Sequence, residues 1–361
     1  MSLQAIPSGP LRSGYTTGAC ATACAKAALS ALISQTNVKD IEITLPLGER
    51  VMFKMNSCTF DLKQATCTTI KDAGDDPDVT HGATIGCTVS FNESKDIIFK
   101  RGKGVGVVTL PGLAIGVGEP AINPAPRKMM SAAIAFVLHQ FYIDKGIDIE
   151  VFVENGEELA KKTLNSRIGI LNGISIIGTT GIIKPFSASA YIASITQGID
   201  VAVCNGCSEL VINSGGRSEN LLRKRFIDLP EYAFIQYGNW IGETLAKIRS
   251  SALKKVTIGI MLGKAAKLAQ GALDTHSGKS TWDKQFIYAL AKQCGYSDAQ
   301  CEPILDLNMA RRLTEIFDFT EQEPFYKKLM ERCYTVCAQH VPNVKLTVLL
   351  IDANDKIIGA T

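Results

Sequence analysis

Residues 173–187 read GISIIGTTGIIKPFS, and residues 188–216 continue ASAYIASITQGIDVAVCNGCSELVINSGG. Ile174–Ile177 is a short apolar run suited to a strand, closed by Gly178-Thr179-Thr180-Gly181. The seventeen-residue stretch Ala188–Cys204 has the length and periodicity of a helix, and Leu210–Asn213 is the next strand, ended by Ser214-Gly215-Gly216. The rhythm continues beyond. Phe234–Tyr237 leads through Gly238-Asn239 into a helix over Ile241–Ser250, and Val256–Met261 leads through Gly263 into a helix over Lys264–Gln270. Four strand–loop–helix units in succession predict a mostly parallel sheet with right-handed crossovers, an α/β Rossmann-like domain. Helices dominate from Trp282 to Gln339, and Val344–Ile351 reads as a last strand returning to the sheet.

Towards the N-terminus the pattern changes. A small-residue helix over Ala19–Ile33 follows Thr16-Thr17-Gly18. Ile41–Leu45 and Val51–Met55 flank the turn Pro46-Leu47-Gly48-Glu49 and read as a hairpin. Strands follow at Ala65–Ile70, Ala83–Phe91, Ile97–Phe99 and Val105–Leu110. A helix from Arg127 to Tyr142 and a strand at Asp148–Val153 close the region. Several strands with few helices predict an α+β two-layer domain. The expected division is residues 1–165, α+β, and residues 166–361, α/β.

Length and charge narrow the function. At 361 residues the chain exceeds what one core usually serves. Lys and Arg number 38 against 35 Asp and Glu, a net charge of +3, too even for a nucleic-acid or membrane-surface protein. No apolar run approaches the roughly 20 residues of a membrane span. Residues 1–12 lack the apolar core of a secretory signal, so a cytoplasmic location is expected. Eleven cysteines, an odd number, read as reduced thiols. The close pairs Cys20/Cys24, Cys204/Cys207 and Cys333/Cys337 each lack a second pair to complete four metal ligands, and no protein-bound metal is expected. A homo-oligomer is compatible with the sequence.

Chemistry concentrates in a few loops. Ligands of an open parallel sheet bind where strands end and helices begin, at free N–H groups and helix dipoles. Gly178-Thr179-Thr180-Gly181, Ser214-Gly215-Gly216 and Gly238-Asn239 are expected there; none is a Walker A or G-x-G-x-x-G sequence. The segment KDAGDDPDVTHG (71–82) is the densest polar stretch. Asp72, Asp75 and Asp76 with His81 could order a reacting loop, hold a cation or tie down a turn. Gly102-Lys103-Gly104 presents a lysine between glycines. The proline-stiffened run 118–127 carries Glu119, Asn123 and Arg127. A cation in a first helical turn opposes the dipole, so Arg127 calls for a ligand anion or a nearby acid. Thr275-His276-Ser277 offers a histidine as ligand, acid or base, or as a loop brace.

Taken together, LRSGYTTGACATACAKAAL (11–29), KDAGDDPDVTHG (71–82), GKGVGVVTLPGL (102–113), GEPAINPAPRKMM (118–130), GISIIGTTGIIKPFS (173–187) and GKAAKLAQG with THS (263–277) resemble the CbiD family of cobalt-precorrin-5B C1-methyltransferases of anaerobic cobalamin biosynthesis. The resemblance implies S-adenosylmethionine as methyl donor and a cobalt-bearing corrin precursor as acceptor. One departure stands out: family members tend to carry Pro-Gly-Asn after the second α/β strand, where this chain has Ser214-Gly215-Gly216-Arg217.

On that basis the loops Gly178–Gly181, Ser214–Gly216 and Gly238–Asn239 are expected to hold the donor. Arg12, Thr16, Thr17, Lys103, Glu119, Asn123, Arg127, Lys184 and His276 are expected on the acceptor, a ring edged with carboxylates. Asp72, Asp75, Asp76 and His81 are assigned to the reacting loop, and alanine at Asp75 or Arg127 is expected to abolish turnover with the fold intact. Two other functions are open to these residues. One is a nucleotide-dependent phosphotransferase using the 178–181 loop for phosphate and the aspartates for Mg²⁺; the other is a non-catalytic tetrapyrrole-binding protein.

Overall fold

A computed structural model describes residues 9–359. The first eight residues of the stretch read above for a signal lie outside the described residues. The chain divides into two compact units, residues 2–188 and 189–361.

In the N-terminal unit, β1 (Gly14–Tyr15) leads into α1 (Thr17–Ser34). Then come β2 (Asp40–Thr44), β3 (Arg50–Lys54), β4 (Ser57–Phe60), β5 (Gln64–Ile70), β6 (Thr84–Asn92), β7 (Ile97–Arg101) and β8 (Val107–Val108). The unit continues with α2 (Pro124–Gln140), β9 (Gly146–Val153), α3 (Gly156–Ala160), β10 (Ile170–Leu171) and β11 (Ile182–Ile183). The main sheet has the order β4-β5-β6-β9-β7, antiparallel except for the β7–β9 pair. β2 and β3 form the expected hairpin. α1 packs on β5 and β6 and against α2. Its Ala, Cys and Gly residues let the neighbouring sheet and α2 come close, and the helix is apolar all round because it is enclosed. Although α1 has the length and hydropathy of a membrane span, 78% of it is buried inside its own unit, as a core helix is.

The C-terminal unit contains α4 (Ala188–Cys204), β12 (Glu209–Asn213), α5 (Gly216–Arg225), β13 (Phe234–Gln236), α6 (Ile241–Arg249), β14 (Lys255–Met261) and α7 (Leu262–Ala269). After these come α8 (Lys284–Gln293), α9 (Asp298–Cys301), α10 (Pro303–Asp306), α11 (Pro324–Ala338), β15 (Lys345–Ile351) and β16 (Ile357–Ile358). Its sheet runs β13-β12-β14-β15-β16, with the first four strands parallel and β16 antiparallel. β12, β14 and β15 are nearly continuous runs of buried Val, Ile and Leu, as strands covered on both faces require. Cys333 and Cys337 lie on the buried face of α11, and every cysteine is a free thiol.

The structure corrects the reading of residues 166–188, which pack with the N-terminal unit. Ile174–Ile177 is extended but is no strand of the parallel sheet. Ile174 bridges Val105, Ile176 bridges Ile122, and both side chains join the N-terminal core. β10 pairs with β8 and β11 with β1. The units therefore part between Ala188 and Ser189, not between 165 and 166. Three strand–helix units, not four, build the parallel sheet before β15.

Candidate functional site

Residues 12–18, 71–82 and 174–187 come together in the N-terminal unit. The Gly14 and Gly74 backbones approach so closely that a Cβ on Gly14 would lie 2.0 Å from the Ala73 carbonyl carbon, and one on Gly74 2.2 Å from the Arg12 oxygen. Side chains then clasp the strands. Arg12 donates a fork of hydrogen bonds to Asp72, Nη1 to Oδ2 at 2.5 Å and Nη2 to Oδ1 at 2.8 Å, while its backbone N–H donates to Asp75 Oδ2. The Arg12 hydrogen bond, helped by the Gly74 N–H, holds Asp72 at about 2. Asp76 accepts the Phe186 N–H at 2.9 Å, and its burial raises its carboxyl above the usual value. Asp78, which sequence reasoning passed over, pairs with the buried Lys71. The dense aspartates are thus mostly committed to holding three chain segments in register.

His81 Nδ1 accepts the Ala73 N–H at 3.1 Å, which puts the proton of the neutral ring on Nε2; about half the side chain is exposed. Thr16 caps α1 through the Ala19 N–H, and its own N–H donates to Gly181 O. Gly178, at φ +139°, lies so near Thr16 that a Cβ would meet its Oγ1 at 2.1 Å. The Thr17 hydroxyl accepts the Ile177 N–H at 2.9 Å and donates to Ile177 O at 3.2 Å. Thr179, Thr180 and Lys184 are exposed. The Gly18 N–H donates to Ile177 O and the Asn123 N–H to Ile176 O, so α1 and α2 both begin on this one segment. Two converging helix N-termini present positive potential there.

Arg127 is spoken for. Its Nε donates to Ile122 O at 2.9 Å, its Nη2 to Pro120 O at 3.3 Å, and Glu119 lies 2.7 Å away. The acid that a first-turn arginine calls for is Glu119, and together the two residues brace the 118–123 loop. Lys103 is exposed, with its carbonyl taking the Val153 N–H.

In the C-terminal unit the chain leaves β12 to form β13 on one side and later β14 on the other. The topological switch point is therefore between β12 and β14, at their carboxyl ends. Ser214-Gly215-Gly216 stands there. The buried Asn213 fixes the turn by accepting the Gly215 N–H at 3.0 Å, and the buried Glu219 is held by Arg223 and Gln236. Beyond the adjoining residues and the helix's own backbone, no described atom lies within 4 Å of a Cβ placed on Gly215, Gly216 or Gly263; Gly216 and Gly263 also have ordinary φ. Neither neighbouring described residues nor backbone conformation requires glycine at 216 and 263, and both positions are open to close approach from outside. Gly238 (φ +60°) and Asn239 end β13 nearby, backed by Tyr191 and Trp240 with ring centroids 4.6 Å apart. Arg217, the departure noted above, donates to Asp355 Oδ1 at 2.6 Å and to Ala353 O, pinning the β15–β16 turn.

Sequence reasoning placed Gly178–Gly181 with these loops, but those residues belong to the N-terminal unit and border no strand of the parallel sheet. His276 braces its own loop, taking the Gly278 N–H on Nδ1 and giving its backbone N–H to Asp274. The quoted motifs 263–277 also carry Lys264 and Thr275, which the sequence reading did not single out as chemical groups.

A family model described as CbiD matches residues 5–185, and one described as the CbiD C-terminal domain matches residues 274–361. A relative named cobalt-precorrin-5B C(1)-methyltransferase from Prosthecochloris aestuarii is 44% identical over 97% of this chain and 96% of its own. Relatives of the same name from Geobacillus sp. and Burkholderia lata are 46% and 40% identical over 90% and 97% of this chain, covering 88% and 96% of theirs. A crystal structure of a cobalamin biosynthesis protein from Archaeoglobus fulgidus is 28% identical, with a TM-score of 0.39, covering 71% of this chain and 78% of that one. With relatives matching from end to end and family models on both units, the chain belongs to the CbiD family.

Proposed function

We propose that this protein methylates C-1 of cobalt-precorrin-5B, with S-adenosylmethionine as donor. The observation that carries the reading is the near-complete overlap with relatives of that name, 97% of this chain and 96% of the first. The C-terminal unit, read as a Rossmann-like domain, is the donor side. Its switch point offers the backbone of Ser214–Gly216 and Gly263 with room for a ligand and no Walker sequence for phosphate. The N-terminal unit is the acceptor side. The joint N-termini of α1 and α2, with Lys184 and His81, suit a ring edged with carboxylates, and Arg12, forked onto Asp72, holds the loop beside them.

The reaction forms one carbon–carbon bond and breaks one sulfur–carbon bond. Electrons from the ring carbon enter the methyl group as the sulfonium leaves as a neutral thioether. No protein nucleophile is needed. Rate comes from alignment of the two substrates and exclusion of water, a contribution of roughly 7–11 kcal/mol in well-oriented systems. Cobalt belongs to the substrate. Asp72, Asp75 and Asp76 act by holding the 71–82 loop in place, and His81, half exposed with Nδ1 taken by the Ala73 N–H, has Nε2–H free to donate to the acceptor.

Calorimetric titration with S-adenosylhomocysteine, with ATP plus Mg²⁺ in parallel, tests the donor. Binding of the former alone, followed by methyl transfer to the cobalt corrin, is the expected result. Binding of ATP alone would overturn it in favour of a phosphotransferase.

A further inference from the structure

Lys264, in the first turn of α7, is largely enclosed. Its ammonium has one protein acceptor, the Gly238 carbonyl at 2.5 Å, and no acid pairs with it among the described residues. Burial, with Lys267 close by, pushes its pKa down to about 8. Among the described residues Lys267, one turn on, likewise has a carbonyl for its partner, that of Thr275 at 3.1 Å. Thr275 itself is 2% exposed, and among the described residues its hydroxyl has no partner. The segment is firmly seated: Thr275 N–H donates to Asn239 O, Asp274 bridges Trp240, and Gly242 N–H donates to Leu273 O. Directly before Lys264 stands Gly263, open on its Cβ side.

Buried charges are normally paired and buried hydroxyls normally bonded. Two ammonium groups without an acid, beside an orphaned hydroxyl and the first amides of a helix, are complementary to an anion. We propose that Lys264, Lys267 and the Thr275 hydroxyl form a carboxylate subsite at the carboxyl edge of the parallel sheet. The anion site stands on this geometry. That its occupant is a carboxylate rests on the methyltransferase reading, in which both substrates supply one: the amino-acid end of the donor, or an acid side chain of the ring.

The full-length protein, labelled with ¹³Cε-lysine, is titrated with sodium sulfate. The signal lost in Lys264→Met should move in the wild type, and its pKa should rise. No movement at any sulfate concentration overturns the subsite whatever the enzyme does. Calorimetry with S-adenosylhomocysteine and 5′-methylthioadenosine, which lacks the amino-acid carboxylate, then separates the sources. If the donor's carboxylate is held, Lys264→Met weakens S-adenosylhomocysteine about tenfold or more and leaves methylthioadenosine unchanged. If the ring's is held, both bind as before and KM for the corrin rises. Unchanged binding together with unchanged KM overturns the carboxylate assignment. Thr275→Val and Lys264→Gln repeat the comparison should Lys264→Met not fold. A wild type that responds to sulfate but neither binds S-adenosylhomocysteine nor transfers methyl keeps the anion subsite and rejects the methyltransferase reading.

Discussion

Lys71 Nζ lies 2.7 Å from Asp78 Oδ2, with the lysine side chain wholly buried and the aspartate 23% exposed. The other Asp78 oxygen accepts both the backbone N–H and the hydroxyl of Thr80. Burial acts to raise the Asp78 carboxyl, but Lys71 and the Thr80 donors outweigh it and leave it below its usual value. The pair closes the loop that carries Asp72, Asp75, Asp76 and His81.

Asp78→Ala strands a buried ammonium and should cost about 3–5 kcal/mol, against less for Lys71→Met, which leaves a partly exposed carboxylate still bonded by Thr80. Calorimetric unfolding of the two variants and the double variant checks this. A loss under about 1 kcal/mol for Asp78→Ala would class the pair with exposed ones.

Arg127→Ala removes hydrogen bonds to Ile122 O and Pro120 O and the Glu119 pair together. It should lower the stability of the N-terminal unit by about 2–3 kcal/mol. Arg127→Lys should keep the Glu119 pair and lose the fork to the carbonyls, giving an intermediate loss. An Arg127→Ala protein with wild-type melting and no turnover would return the residue to a ligand role.

Local pattern carried most of the elements. The helix expected over Ala188–Cys204 has those limits, and the strands ending at Asn213, Met261 and Ile351 end there. These segments carry their own signal in apolar periodicity and in the glycines and polar residues that stop them. Ile174–Ile177 failed for a reason periodicity cannot address. An extended run looks the same whichever strands it joins, and its partners Val105 and Ile122 are over fifty residues away. The site divided similarly. Glycine loops at strand ends were legible because conformation is local. The commitments of Asp72 to Arg12 and of Asp76 to the Phe186 N–H were not, because each joins residues distant in sequence. Lys264 went unnoticed because what distinguishes it is burial without an acid, which only packing creates.

Gly216 and Gly263 separate binding from folding. With ordinary φ, helical positions and no described atom beyond the adjoining residues and the helix's own backbone within 4 Å of a Cβ, Gly216→Ala and Gly263→Ala should leave stability unchanged or raise it by about 0.5–1 kcal/mol. S-adenosylhomocysteine should nevertheless bind more weakly to both. Thermal melting and calorimetry on the same samples decide it. Unaltered affinity in both variants would move the donor away from the β12–β14 edge.

Lys264 gives the C-terminal unit a pH dependence whose sign follows from its surroundings. Lys267 lies on the same helix, and Asp274 and His276 lie on the adjoining segment. Asp274 is engaged by the His276 N–H and by Lys279, and despite the opposing effect of burial stays below its usual value and ionised. The folded pKa of Lys264, about 8, is below its ordinary 10.5. The unfolded chain therefore holds the extra proton between those values, and this group makes folding more favourable as pH rises from about 8 towards 10.5. Anion binding runs the other way. It needs the ammonium, so sulfate affinity should be level below pH 8 and fall above it, approaching tenfold per pH unit if one proton is required. Sulfate does not titrate in this range, so the slope belongs to the protein. Calorimetry in two buffers of different ionisation enthalpy should show proton uptake on sulfate binding at pH 8.5 in the wild type and none in Lys264→Met. A flat profile through pH 9.5 in the wild type would mean that another group meets the anion.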